Sequence, residues 1–141
     1  MKNTVNRIID ANFNRAKEGL RVCEEITRFI LNSRPLSLEL KKIRHEIDTA
    51  VRSLASRKEL LKERSVRLDV GSRIHAREFA RDGLKDVFFA NIQRAKESAR
   101  VLEEFSKLVN AKAALRFKRV RYRIYALEKK AAAGVSALSA H

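Results

Sequence analysis

Two segments of this chain place Asn, Arg and Glu where an amphipathic helix would carry apolar side chains: Asn12, Arg15 and Glu18, and again Asn91, Arg94 and Glu97. Helical phasing puts each Asn within the apolar arc, each Arg at its edge and each Glu on the flank beyond, with Glu25 and Glu104 on the same flank. A buried Arg is costly unless it is paired. An Arg followed three residues later by Glu therefore points to one of two arrangements. One is a closed lattice of ion pairs and hydrogen bonds that fixes helix register. The other is a site that holds an anionic ligand through charge-assisted hydrogen bonds. Both readings stand on the residues alone.

The remaining reactive residue types carry less. Lys17, Glu24, Lys96 and Glu103 read as a solvated face. Cys23 falls on the apolar arc and reads as core; a lone Cys forms no internal disulfide and no Cys-based zinc cluster. His45 and Tyr122 occupy equivalent places and point away from their helix's apolar face. No second His or Cys stands at helical ligand spacing from His45; His75 lies in the middle segment and His141 is last. Asp69-Val70-Gly71 reads as a turn. No phosphate-binding glycine loop, zinc-protease motif or nucleophile elbow is present.

The elements that must position these residues are two copies of one helical hairpin. Residues 11–30 (ANFNRAKEGLRVCEEITRFI) and 90–109 (ANIQRAKESARVLEEFSKLV) agree at ten of twenty positions, at an offset of 79 residues. The match resumes at an offset of 77, where Leu38, Lys41, Arg44 and Ile47 correspond to Leu115, Lys118, Arg121 and Ile124. The change of two falls in the connections Asn32–Ser37 and Asn110–Ala113, which tolerate it better than helices do. Duplication of this kind would bring the two Asn-Arg-Glu sets together across a pseudo-two-fold axis.

In the first helix Ile8, Ala11, Ala16, Gly19, Val22, Cys23, Ile26, Phe29 and Ile30 form the expected apolar arc, with Thr4 as N-cap and Asn32 as the stop. Pro35 suits the first turn of a second helix whose face is Leu36, Leu40, Ile43, Ile47, Val51 and Leu54. The second copy predicts helices from about Leu84 to Val109 and Ala113 to Ala133, the latter buried through Phe117, Val120, Ile124, Leu127 and Ala131. The fold class is therefore all-α, an antiparallel helical bundle made from two long hairpins in one domain. Repeat 1 spans about 4–58, a connecting segment 59–82, repeat 2 about 83–133 and a frayed tail 134–141. The connecting segment should hold a short helix from Arg73 to Arg81.

With 32 Lys and Arg against 17 Asp and Glu, the net charge is +15. This favours anionic partners: phosphorylated metabolites, nucleotides, nucleic acid or anionic lipid. No run of apolar residues is long enough to span a membrane, and the N-terminus lacks an apolar signal core, so a cytoplasmic protein is expected. Arg116, Lys118, Arg119, Arg121 and Arg123 are the densest basic cluster, but no aromatic platform or recognised module accompanies them, which ranks nucleic acid last among the ligands. Outward Tyr122, Tyr125 and His45 would suit a homodimer contact.

The run Arg7-Ile8-Ile9-Asp10-Ala11-Asn12-Phe13-Asn14-Arg15-Ala16-Lys17-Glu18-Gly19-Leu20-Arg21-Val22 resembles the opening of a helical domain of thiamine biosynthesis, commonly fused N-terminally to thiamine-phosphate synthase. Arg44-His45, Asp69-Val70-Gly71, Glu78, the second Ala-Asn segment and Arg121-Tyr122-x-x-Tyr125 extend the resemblance over nearly the whole chain. It implies a hydroxymethylpyrimidine kinase that uses ATP and Mg, with a pyrimidine or phosphate ligand and thiamine-phosphate synthase as partners. Under that implication Arg15, Arg94, Arg21, Arg100 and Arg44 would supply cations for phosphate. Glu18, Glu97 or Asp69 would accept the hydroxyl proton, Glu25 and Glu104 would hold Mg, and Asn12 and Asn91 would read the pyrimidine edge. A non-catalytic accessory domain that binds a thiamine intermediate or the synthase is the alternative. At 141 residues the chain has no room for a (β/α)₈ barrel of its own, so pyrimidine–thiazole coupling is not expected of it. It is then either free-standing or a piece of a longer fusion.

Overall fold

The computed structural model describes residues 2–73 and 79–138. Helix α1 spans Lys2–Glu25 and runs into a π-helical turn, Ile26–Ile30; α2 is Arg34–Arg52, α3 Arg57–Glu63, α4 Gly83–Ser106 and α5 Ala111–Ser136. No strand occurs among the described residues, and no helix among them is long and apolar enough to cross a membrane.

The helix ends follow local chemistry. The hydroxyl of Ser33 accepts from the amide of Leu36 with Pro35 in the first turn of α2, and the side chain of Asn110 accepts from Lys112 and Ala113 at the start of α5. Asn32, expected as a stop, sits just past the π turn at φ 52°. Thr4 is not a cap: α1 already includes Lys2. The expected frayed tail is also revised. Helix α5 continues to Ser136 and buries Ala131 and Val135, because an apolar residue four positions further on extends the same face.

Helices α1 and α4 share the most extensive interface, and they run antiparallel: Gly19 lies against Asn91 and Ala95, while Cys23 donates its Sγ–H to the carbonyl of Phe88. Small residues let the two backbones meet, with Ala16, Ala95 and Ala99 fully buried there. Helices α2 and α5 pack on α1 and α4 and on each other, enclosing Leu20, Leu40, Ile43, Ile47, Phe88, Ile92, Phe117 and Ile124.

One expectation shifts, in α1. The buried stripe of α1 is Val5, Ile9, Ala16, Leu20 and Cys23, rotated by about one residue from the expected arc, and Phe29 and Ile30 are exposed. The π turn accounts for the exposure of Phe29 and Ile30. Its Leu31 amide bonds to Ile26 five residues back, so residues beyond Glu25 leave the phase of the helix before them. The same turn absorbs part of the two-residue difference between the copies. A further short helix, α3, stands at the start of the connecting segment, opened by a capping box of Ser56 and Glu59. The helix expected from Arg73 to Arg81 lies largely outside the described residues, as do His75, Glu78 and His141.

A Cβ placed on Gly19 would stand 2.7 Å from the Asn91 carbonyl oxygen, whereas one on Gly134 would meet only Leu31 side-chain carbons at 3.7 Å. Gly19→Ala should therefore cost about 1–3 kcal/mol in urea unfolding. Gly134→Ala should be neutral or stabilising by up to about 1 kcal/mol.

Candidate functional site

Each hairpin carries the same ion-pair cluster. In the first, Glu24 is buried on α1, and Arg44 from α2 donates Nε and Nη2 to its Oε1 at 3.2 Å each. Arg21 adds contacts to Glu24 at 3.3 Å and Glu25 at 3.0 Å. In the second, Arg121 donates Nε to the buried Glu103 at 2.9 Å, and Arg100 approaches Glu103 at 3.7 Å and Glu104 at 3.1 Å. Hydrogen bonds to Glu103 and Tyr125 hold the Arg121 guanidinium above its ordinary value. The Lys107 ammonium holds the exposed Glu104 carboxyl below the usual carboxylate range. These are closed lattices of the kind that fix register. Glu24 and Glu103, expected on a solvated face, are their centres. Their partners come from another helix, which the periodicity of one helix does not reveal.

A cleft opens beside the first cluster, between α1, the end of α2 and α3, with a volume of about 550 Å³. Helix α3 forms its outer wall because Leu60 is buried and Arg64, just past its end, forks onto Asp10 through Nε and Nη2 at 2.8 Å each. That pairing raises the Arg64 pKa. Arg7 adds a hydrogen bond to the carbonyl of Ser65 at 3.3 Å. Within the cleft Lys17 Nζ sits 2.7 Å from Asp48 Oδ1 and 5.1 Å from the centre of the Phe13 ring. Arg52 and Arg57 line it as well, without an ion pair among the described residues. Four cations against two carboxylates leave an anion-attracting cavity with an aromatic face and an acceptor inside it. Its size is that of a small-molecule site.

The residues expected from the Asn-Arg-Glu pattern are not gathered there. Asn12 and Asn91 donate their Nδ2 to the carbonyls of Ile8 and Val87 at 2.9 and 2.8 Å, back onto their own helices. The antiparallel pairing of α1 with α4 sets them on opposite sides of the crossing, so the two copies do not converge. Arg15, Glu18, Arg94 and Glu97 are exposed, a consequence of the rotated face of α1 and its counterpart in α4. Glu18 stands close enough for its charge to act on Arg64, at the rim of the cleft. Glu97 and Arg100 border a shallow groove of about 290 Å³ with Gln93, Lys96 and Tyr125, the second-copy counterpart of the cleft. Asp69 accepts from the Gly71 amide at 2.8 Å in an exposed turn. Arg21, Arg44 and Arg100, like Glu25 and Glu104, are committed to the lattices. Among the described residues no three His, Cys, Asp or Glu side chains group as a metal site.

Sequence reasoning passed over Asp10, Asn14, Asp48, Arg52, Arg57 and Arg64. One signal was available: Ser56-x-x-Glu59 ahead of Leu60-Leu61 is a helix start, and would have put Arg57 and Arg64 at the two ends of a helix. The basic cluster of α5 is also less free than its spacing suggests. Arg116, Arg121 and Arg123 pair with Glu46, Glu103 and Glu39 at 3.3, 2.9 and 2.9 Å, which leaves fewer cations for nucleic acid.

The ThiD2 family matches this chain over residues 7–130. Among curated proteins it is similar to the thiamine-phosphate synthases of Nostoc punctiforme (41% identical over 129 residues, 91% of this chain and 35% of that protein) and Rhodopirellula baltica (41% over 124 residues, 87% and 33%). The thiamine-phosphate synthase of a Synechocystis species is 40% identical over 125 residues, 88% of this chain and 35% of that protein. The chain thus spans about a third of the length of the curated relatives it matches. No solved structure matches it. The chain belongs to the ThiD2 family.

Glu24→Ala, which strands the Arg44 guanidinium in a largely buried place, should cost about 3 kcal/mol in urea unfolding. Glu25→Ala, at the exposed edge of the same cluster, should cost under about 1 kcal/mol. Burial pushes the Cys23 thiol up from 9.0 to about 12, with the charge of Glu128 adding to it. The folded chain therefore keeps this proton where the unfolded chain releases it. Its stabilisation is complete below pH 9.0 and is lost as pH rises toward about 12. Unfolding free energy measured across that window should fall less steeply for Cys23→Ala than for the wild type.

Proposed function

We propose that this member of the ThiD2 family serves thiamine biosynthesis as an ATP-dependent kinase of hydroxymethylpyrimidine or its monophosphate, and that the cleft between α1, α2 and α3 is its site. The observation that carries the reading is the cleft itself: Lys17, Arg52, Arg57 and Arg64 face a cavity of about 550 Å³ that also holds Asp48, Asp10 and the Phe13 ring. Phosphoryl transfer asks little covalent chemistry of a protein. It needs cations on the moving charge and a positioned hydroxyl. Arg52 and Arg57, which form no ion pair among the described residues, can meet phosphate oxygens directly; Arg52 is tethered only by Nε to the Asp48 carbonyl at 3.3 Å. Lys17, 2.7 Å from Asp48 on the wall of the same cleft, can swing toward an incoming phosphate.

In this reading Asp48 accepts the proton of the hydroxymethyl group, and the face of Phe13, over which Lys17 Nζ lies at 5.1 Å until it swings to the phosphate, carries the pyrimidine ring. Magnesium would arrive with the nucleotide and neutralise its phosphates. One or two carboxylates suffice to hold such an ion when phosphates and water fill the other positions; both oxygens of Asp10 are taken by Arg64, so Asp48, which meets Lys17 through Oδ1 alone, would be the ligand of the cleft. The donor set therefore suits the ion. The relatives named thiamine-phosphate synthase support the pathway, and they make a synthase a candidate partner, fused or separate.

The test is ADP release with ATP, Mg and hydroxymethylpyrimidine or its monophosphate, with each component omitted in turn. Turnover should require all three. Asp48→Asn should lower kcat by about 10²–10⁴-fold, and Lys17→Met by a similar factor, with the helical circular dichroism unchanged. Arg15→Ala and Arg94→Ala, on exposed flanks outside the cleft, should retain activity. Calorimetric binding of the pyrimidine with no ADP at any protein concentration would replace the kinase with the accessory-domain reading.

A further inference from the structure

We infer that Asn14 is the specificity-determining residue of the cleft, and that it selects a heterocycle bearing an exocyclic amino group over the same ring bearing an oxo group. This rests on the reading that a pyrimidine occupies the cleft.

Asn14 lines the cavity from α1, one turn after Asp10 and one turn before Lys17. Its Nδ2 donates to the Asp10 carbonyl at 2.9 Å and lies 3.4 Å from Asp10 Oδ1. Asp10 is in turn clamped by the two hydrogen bonds from Arg64 at 2.8 Å. The amide is thereby held in one orientation, with its donor end turned back onto its own helix. Its Oδ1 is left on the other side and accepts no hydrogen bond among the described residues.

The rest of the polar lining sharpens what that oxygen can do. Lys17, Arg52, Arg57 and Arg64 are donors only. The carboxylates of Asp10 and Asp48 are engaged by Arg64 and Lys17. Asn14 Oδ1 is thus the unengaged neutral side-chain acceptor of the cleft, one residue along from the Phe13 face. A ring stacked on Phe13 with an amino group at its edge can donate to it. The oxo counterpart turns a lone pair toward a lone pair that cannot rotate away, because the amide is pinned. Asn14 is half-buried, and a ring lying over it would shut water from its oxygen; a polar group then left without a partner discriminates between ligands of one shape. The second copy has Gln93 at this position, facing the shallow groove; one more methylene moves the amide out of register.

The test compares 4-amino- and 4-oxo-pyrimidines that are otherwise identical, by calorimetry and by kcat/KM, on the intact chain. The wild type should favour the amino ring by about 10²-fold. Asn14→Leu, close in volume and without the acceptor, should reduce the preference to within about threefold. Its affinity for inorganic pyrophosphate should be unchanged. Asn14→Gln, which keeps the chemistry but displaces it, should also lose most of the preference, and it serves if the Leu variant unfolds. An amino preference that persists in both variants overturns the assignment of Asn14 and leaves the kinase reading standing. A wild type that binds neither ring overturns the pyrimidine reading of the cleft, and this inference with it.

Discussion

The approach of α1 to α4 at Gly19 leaves no room for a side-chain carbon, since the Asn91 carbonyl oxygen already occupies that space. Contact of two backbones at this distance fixes both the separation and the register of the pair, with Ala16, Ala95 and Ala99 completing the seam. Everything else in the bundle hangs on that antiparallel pairing. It orients the two hairpins head to tail and puts α2 and α5 side by side. It also separates the equivalent residues of the two copies instead of collecting them at one point. A duplicated motif thus becomes two similar surfaces, and neither is a composite of both.

The copies then differ where they touch. Across the α2–α5 contact Arg123 meets Glu39 at 2.9 Å and Arg116 meets Glu46 at 3.3 Å. By the offset of the repeat, Glu39 corresponds to Arg116 and Glu46 to Arg123. Two identical hairpins would have set like charges against each other at both places. The present arrangement is complementary at both, which specifies that α2 faces α5 and in which direction. The outer surfaces diverge as well. Lys17 and Lys96 are equivalent, but Lys17 pairs with Asp48, whereas Lys96 pairs with Glu128 at 2.8 Å and lies 5.4 Å from the Tyr125 ring. After α2 the chain turns back as α3 and walls the cleft. After the matching point in the second copy, α5 simply continues. One deep cleft and one shallow groove result.

Much of this frame could be read from the residues, and the reasons for the rest are physical. The repeat, the helix pairs and the faces of α2 and α5 follow from period and capping alone, because Ile43, Ile47, Phe117 and Ile124 face a core that periodicity describes well. Helix α1 is harder. A π turn at its end broke the phase, and Phe29 and Ile30 drew the expected arc toward a hairpin tip that is exposed. Charged positions are harder still. Glu24 and Lys17 look alike on a helical wheel, yet one is buried under Arg44 and the other enters a cleft. What separates them is a partner about twenty or thirty residues away in sequence, and no single-helix pattern carries that information. The candidate site was missed for the same reason: its walls are brought together by the turn at Ser53–Ser56 and by the Arg64–Asp10 pair, both of them tertiary.

A net charge of +15 makes most of this surface attractive to anions, so attraction alone does not mark a site. Many of the basic residues are already answered by carboxylates within the bundle, Arg44, Arg64, Arg121 and Arg123 among them. The cleft is distinguished by what accompanies its excess of cations: a carboxylate within reach of Lys17, an aromatic face and a pinned amide, enclosed by a helix that a single bidentate pair holds in place. A bare basic patch binds any phosphate and releases it when salt rises. A cationic cavity with acceptors of fixed direction can also choose which phosphorylated or hydroxyl-bearing molecule it holds, and in what orientation.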